Sequence, residues 1–276
     1  MHLGWLGKRR LLRDGYVQIG GVVPPGQIEA ALRAINRSLG EQGLPPDRIR
    51  EMRARTFCPE LISAPEILAL YRTAAGLVAS AAGRVREPTH AQIALRFPGG
   101  EPTTPPVPHI DGMPTADNGI PPGTLHHFTA LLGVFLTDVA AAQRGNFLVW
   151  PGSHRVLEAQ FRRHGAASIV SGLPDLLVAP RPLTARAGDV VLAHYALAHA
   201  AAPNLGAQVR YAVFFRLSHL DHDAAGNRVL DNLWLEWEGM PKAHRNLSLK
   251  RGGGRYVDGT ASRGGGTADR DVPDGG

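Results

Sequence analysis

The chain of 276 residues has one cysteine, Cys58, so no disulfide can form within it. A lone thiol fits a reducing compartment, and a cytoplasmic location is expected. Lysine is almost missing, occurring only at positions 8, 242 and 250, so the basic residues are nearly all arginine. The net charge of +6 and the pI near 10.0 would suit a nucleic-acid partner. The arginines are scattered, however, and aromatics make up only 6% of the chain. No basic stripe with interleaved aromatics exists, so no nucleic-acid partner is expected. No apolar run approaches the roughly 20 residues that span a bilayer, so no membrane association is expected either. The first thirteen residues carry Lys8, Arg9, Arg10 and Arg13 and have no apolar segment of the signal-peptide kind.

What is plentiful is glycine and proline, 33 and 22 residues, which punctuate the chain into short elements. Residues 11–19 read as a helix end, a turn at Gly15 and a strand. Pro24-Pro25 breaks the chain. Residues 27–39 have helical spacing, with Ile28, Ala31, Leu32 and Ile35 on one face. Residues 65–82 form a second helical pattern through Ile67, Leu68, Tyr71, Ala74, Leu77 and Val78, stopped by Gly83. From Ala91 the texture changes to short apolar runs separated by Pro/Gly turns: 91–97, 128–139, 145–150, 189–194 and 209–217. Helices followed by many short strands imply a mainly β fold, helices buttressing a sandwich or barrel. Residues 1–250 are expected to form one domain. Residues 251–276, glycine and charge with few apolar side chains, are expected to be a disordered tail.

Four residues carry the chemistry. His109 and Asp111 lie two apart, so on an extended segment they share a face. His199 follows the strand-like run Asp189–His194, and Arg210 follows His199 by eleven residues. Two histidines and one carboxylate on one side of a metal form the open site of non-haem Fe(II) oxygenases. An arginine fork beside it suits a cosubstrate carboxylate. A second His-x-Asp, His219 and Asp221, has an apparent set of partners in His244 and Arg255. His244 follows too closely to come from another part of a barrel, and Arg255 sits in a glycine run. His194 competes with His199, but the intervening Tyr195–Ala198 reads as a bend that lets His199 start a new strand. His194 is therefore expected to stay outside the ligand set. Arg210, Ala212, Phe214 and Arg216 share one face of the last strand. Gln92, Ala94 and Arg96 share a face of the strand before the metal loop. The polarity of Gln92 and Arg96 suits a cavity lining, and Trp150 either walls the substrate pocket or only packs, packing being the commoner role for such a tryptophan. Thr129 is a candidate hydroxyl donor to the cosubstrate.

These residues bring the chain close to a known family. His109-Ile-Asp-Gly112, the block Gly145-Asn-Phe-Leu-Val-Trp-Pro-Gly-Ser-His154, the block Gly188-Asp-Val-Val-Leu-Ala-His-Tyr-Ala-Leu-Ala-His199 with Asn204 and Arg210, and the opening Asp14-Gly-Tyr-Val17 resemble the phytanoyl-CoA dioxygenase family. The resemblance spans about residues 10–220. It implies a double-stranded β-helix, a jelly-roll or cupin-like barrel, with Fe(II), 2-oxoglutarate and O2 as cofactors. It implies metal ligation by His109, Asp111 and His199, Arg210 on the distal carboxylate, and Phe214, Gln92 and Arg96 as pocket residues. The reaction would release succinate and CO2 and hydroxylate an unactivated C–H bond of a small metabolite or natural-product intermediate. Some relatives carry a hydroxyl residue two after the distal histidine that helps bind the cosubstrate; here it is Ala201, so Thr129 or Arg96 would replace it. Related halogenases have a small residue where Asp111 stands, so Asp111 favours hydroxylation. Desaturation, cyclisation or epimerisation by the same iron chemistry is the alternative, with a non-oxygenase cupin-like metal isomerase or a ligand-binding barrel further off. The sequence assigns neither the substrate nor the oligomeric state.

Overall fold

In the computed structural model, residues 1–99, 106–115, 118–169 and 172–241 are described. The expected tail at 251–276, together with His244 and Arg255 of the rejected second set, lies outside them. Four helices come first: α1 (Trp5–Asp14), α2 (Pro25–Gln42), α3 (Pro46–Ala54) and α4 (Pro65–Ala82). The last three have proline in the first turn, where its missing N–H costs nothing. α1 ends at Gly15, whose φ of 81° is the left-handed C-cap conformation that a Cβ disfavours. Two of these helices extend the expected ones by a few residues; α3 carries too many charges to show an apolar face.

The strands are β1 (Tyr16–Ile19), β2 (Gln92–Arg96), β3 (Ala130–Phe135), β4 (Phe147–Val149), β5 (Arg181–Pro182), β6 (Val190–His194), β7 (His199–Ala201) and β8 (Arg210–Leu217). They form a five-stranded sheet, β1-β6-β3-β8-β2, and a three-stranded sheet, β5-β4-β7. Every pairing is antiparallel. The two sheets face each other without closing into a continuous barrel, which is the double-stranded β-helix architecture. Phe147 of the small sheet meets Phe214 of the large one at 5.2 Å between ring centroids. Every residue of β3 and β6 is buried, because both faces of the large sheet are covered. The outer face takes the helices, with Tyr71 of α4 against Phe215.

Three further helices follow the strands in sequence or interrupt them: α5 (Ser153–His164) between β4 and β5, then α6 (His222–Ala225) and α7 (Arg228–Asp231) after β8. The segment beyond β8 is tied down. Trp237 stacks on His194, with 5.4 Å between centroids and 18° between planes, and Gly239 N–H donates to the Ala81 carbonyl. No helix among the described residues is long and apolar enough to cross a membrane.

Candidate metal and cosubstrate site

β7 begins where the chain bends after β6, as the spacing of His194 and His199 implies. His199 N–H donates to the His109 carbonyl and His109 N–H to the His199 carbonyl, at 2.9 and 3.0 Å. This isolated bridge adds the 109–111 segment to the edge of the small sheet. The two rings then lie 4.7 Å apart. His199 Nε2 is 3.5 Å from Asp111 Oδ1. One donor atom from each of His109, Asp111 and His199 falls within 4.8 Å of the others. No other group of three such donors is found among the described residues.

Both imidazoles are oriented by their own backbone. His199 Nδ1 lies 3.0 Å from the Leu197 carbonyl, and His109 Nδ1 lies 3.4 Å from that of Val107. A carbonyl accepts only from N–H, so each Nδ1 carries the proton and each Nε2 presents its lone pair inward. Burial, with the neighbouring His199, lowers the His109 pKa to about 4, which keeps it in the neutral state a metal needs. Burial alone would raise the Asp111 carboxyl, but the Arg216 guanidinium and His199 hold it well below the usual range. Gly112 lets the loop turn at φ 82°; a Cβ there would fall 1.9 Å from the His126 carbonyl oxygen.

The approach to His199 is set by the Pro151-Gly152-Ser153-His154 turn, whose role sequence reasoning had not assigned. Ser153 Oγ accepts from Ala198 N–H at 2.9 Å, and Trp150 N–H donates to the Ala198 carbonyl. The residue before His199 is thus held from both sides. His154, fully buried, reaches the Leu12 carbonyl at 3.2 Å and joins α5 to α1. α5 itself was legible only as Leu157 and Phe161, four apart, in an otherwise polar run.

Deeper inside, Arg210 is 3% exposed. Its Nε donates to the Gly145 carbonyl at 2.7 Å and its Nη1 to that of Ala94 at 3.0 Å. No carboxylate accompanies it among the described residues; burial and the neighbouring Arg96 lower its pKa to about 9. Arg96 is the cross-strand partner of Arg210 and is also lowered, to about 10, by burial and then by Arg53. Gly145, at φ 71°, lies against both, since a Cβ would come 2.8 Å from Arg96 Cβ and 3.2 Å from Arg210 Cβ. Asn204 Nδ2 donates to the Arg96 carbonyl at 2.7 Å, which gives that motif residue its purpose. The buried Arg210 and the half-buried Arg96, with no acid beside them among the described residues, offer a site to an anion.

Of the remaining candidates, Phe214 lies inside, with its ring against Phe147, which in turn packs 5.2 Å from the His199 ring. Gln92 is beside the site but occupied: its Nε2 donates to the Arg55 carbonyl at 2.6 Å and its Oε1 accepts from Arg216. One expectation needs correction, and one open choice is decided. Thr129 cannot be the donor that replaces a hydroxyl at Ala201. Its one hydroxyl proton goes to Glu236 at 2.6 Å, and its oxygen accepts from His219 N–H. Trp150 does not wall the pocket. On β4 the inward positions are Phe147 and Val149, while Leu148 and Trp150 face the other way into a small cluster with Ala198, Ala200 and Ala202. His194 has both nitrogens engaged, Nδ1 accepting from Ala196 N–H and Nε2 donating to the Leu233 carbonyl at 2.7 Å.

Two residues near the metal cluster have roles that the sequence does not show. Arg216 pairs with Asp111, Nε to Oδ2 at 2.9 Å. Tyr195 has a buried hydroxyl with no hydrogen-bond partner among the described residues. Burial and the charge of Asp111 push its pKa well up.

Two histidines and one aspartate, with a buried Arg210 and a half-buried Arg96 that no acid accompanies among the described residues, in a double-stranded β-helix, fit the class of non-haem metal oxygenases. The chain belongs to the phytanoyl-CoA dioxygenase family (PhyH), which it matches over residues 11–212. No curated protein matches it in sequence. Among solved structures it is similar to SnoK, a non-haem α-ketoglutarate-dependent carbocyclase from nogalamycin biosynthesis, at 22% identity over 79% of this chain and 84% of that one, with a TM-score of 0.53. HygX from Streptomyces hygroscopicus, with nickel and 2-oxoglutarate bound, is 20% identical over 80% and 88%, with a TM-score of 0.54. EctD from S. alaskensis in its apoform is 16% identical over 79% and 78%, with a TM-score of 0.53. At these identities the likeness is one of fold.

Proposed function

We propose that this chain is an Fe(II)- and 2-oxoglutarate-dependent dioxygenase that hydroxylates an unactivated C–H bond of a small metabolite or natural-product intermediate. The carrying observation is the pairing of a three-donor metal cluster with a buried Arg210 that has no acid of its own. His109 and His199 would hold the metal through Nε2 and Asp111 through a carboxylate oxygen. With O2, the iron and cosubstrate supply an oxidant, and 2-oxoglutarate leaves as succinate and CO2. The protein's own part is to bind, orient and exclude water. Arg210 binds the distal carboxylate by its planar fork, and Arg96 serves in place of the hydroxyl missing at Ala201. Phe147 and Phe214 keep the space beside His199 apolar. HygX, whose structure holds 2-oxoglutarate, supports the cosubstrate by its fold.

Residues 1–250 are the working unit in this reading, with 251–276 appended. The core runs from Leu3 to Met240 as one cluster, which supports it. The buried free thiol of Cys58 suits a reducing compartment.

The test is an anaerobic titration of 2-oxoglutarate into the Fe(II) protein, followed by the metal-to-ligand charge-transfer absorbance. Arg210→Ala is expected to weaken cosubstrate binding by roughly 30-fold or more while Fe(II) binding survives. Arg210→Lys recovers only part, because lysine keeps the charge and loses the fork. An unchanged dissociation constant in Arg210→Ala would remove Arg210 from the site. Release of succinate, and mass spectrometry of products from candidate metabolites, decide the reaction.

A further inference from the structure

Asp111 is the only carboxylate in the metal cluster, and its two oxygens have different surroundings. Oδ1 points to the donors, 3.5 Å from His199 Nε2. Oδ2 points away and accepts from Arg216 Nε at 2.9 Å. Arg216 is itself held at its far end: Nη2 donates to Gln92 Oε1 at 3.0 Å, and Gln92 Nε2 donates to the Arg55 carbonyl at 2.6 Å. A planar guanidinium gripped at both ends has little freedom to turn. β8 and β2, the strands that carry Arg216 and Gln92, are paired in fixed register, with Gln92 opposite Phe214. The chain Arg55–Gln92–Arg216–Asp111 therefore connects the backbone after α3 to the outer oxygen of the metal carboxylate.

We infer that Arg216 is a positioning residue that confines Asp111 to ligation through one oxygen, and that Gln92 acts through Arg216 rather than on substrate. This rests on the proposed metal role of Asp111. The physical reasons are two. With Oδ2 committed to a cation, the carboxylate cannot swing to chelate through both oxygens, so the coordination position that a second oxygen would take stays open to the cosubstrate. The guanidinium also draws electron density from the carboxylate, which makes Asp111 a weaker donor. The ion pair is asymmetric in exposure, 14% for the Asp111 side chain and 39% for that of Arg216. The cation is thus more open to water than the carboxylate it holds. Its effect on the carboxylate can be removed without opening a cavity in the core.

The experiment uses the full chain, loaded anaerobically with Fe(II) alone and then with 2-oxoglutarate, for the parent, Arg216→Met, Arg216→Lys and Gln92→Leu. Melting temperatures establish that each variant is folded. Removing a cation next to a divalent ion should tighten Fe(II) binding in Arg216→Met by roughly tenfold. A freed Asp111 should shift the charge-transfer band of the Fe(II)–2-oxoglutarate complex to longer wavelength, because a better donor raises the metal orbitals, and should weaken 2-oxoglutarate binding. Gln92→Leu should move all three in the same direction by less, and Arg216→Lys should restore the Fe(II) affinity but only part of the band position. Unchanged band position and Fe(II) affinity in a folded Arg216→Met, or weaker Fe(II) binding, would overturn the inference. A parent that binds Fe(II) and 2-oxoglutarate, with no shift in folded Arg216→Met, sinks this inference alone; a parent that binds neither sinks the proposed function beneath it.

Discussion

At the scale of single residues, the site depends on backbone carbonyls and on side chains that never touch the metal. The Nδ1 contacts of His109 and His199 fix tautomers, and Ser153 fixes the turn into His199. Ser153→Ala would leave Ala198 N–H buried without a partner, which costs about 1–3 kcal/mol. A lowered melting temperature together with weaker Fe(II) binding is the expected result. Thr129→Val separates the two roles considered for that residue. Because the hydroxyl serves Glu236 and His219, stability should fall by a similar amount while the 2-oxoglutarate dissociation constant stays put. Loss of cosubstrate affinity without loss of stability would return Thr129 to the pocket. The ligand residues were legible because period-two spacing puts His109 and Asp111 on one side. Thr129 was not, since strand parity gives the direction of a side chain but not the partner that claims its proton. Arg216 was seen to share the face of Arg210, yet nothing in the spacing tells that its fork ends on Asp111.

At the scale of elements, the arginine pair is a product of sheet register. β2 and β8 put Arg96 opposite Arg210, and the turn at Gly145 lies over both. Gly145→Ala would strain a φ of 71° and push a methyl into the Arg96 side chain. Cosubstrate binding should drop at least tenfold while Fe(II) stoichiometry is retained, read by the same titration. All the strands but β5 were readable from their apolar runs, bends and Pro/Gly boundaries; β5 is only two residues, Arg181–Pro182. α3 and α5 were not, because α3 has no apolar stripe and α5 begins inside a Pro-Gly turn and offers only Leu157 and Phe161 to the core. Trp150 packs, the commoner role for it: in a three-residue strand the face is decided by what flanks it, and β4 turns Phe147 and Val149 inward.

At the scale of the whole molecule, the two ends of the described residues meet. Lys8 of α1 donates to the Gly239 carbonyl, and Trp234 and Trp237 enclose His194. His154 and His194 lie 6.1 Å apart between these parts. Burial lowers their pKa values to about 3 and about 4. A histidine whose folded pKa is depressed stabilises the fold fully above its unfolded value of about 6.5, and that stability is lost as pH falls towards the folded value. Each should contribute a loss of up to about 1.4 kcal/mol per pH unit below 6.5. Thermal melts between pH 7.5 and 5 should show a steep fall, shallower in His154→Asn than in the parent. His222 works in the opposite sense. Burial would lower it, but Glu236 raises it on balance, so its contribution is present below the ordinary histidine range and fades as pH rises through the folded value. A melting temperature flat from pH 7.5 to 5 would show that the two buried histidines are not kept neutral by the fold.

The assignment of the metal ligands rests on His199 facing inward and His194 facing out, five residues apart across one bend. The most direct measurement is Fe(II) stoichiometry, by anaerobic equilibrium binding, in the parent, His199→Ala and His194→Ala. One iron per chain in the parent and in folded His194→Ala, with none retained in His199→Ala, is the expected result. Iron retained by His199→Ala and lost from a folded His194→Ala would contradict the site as described.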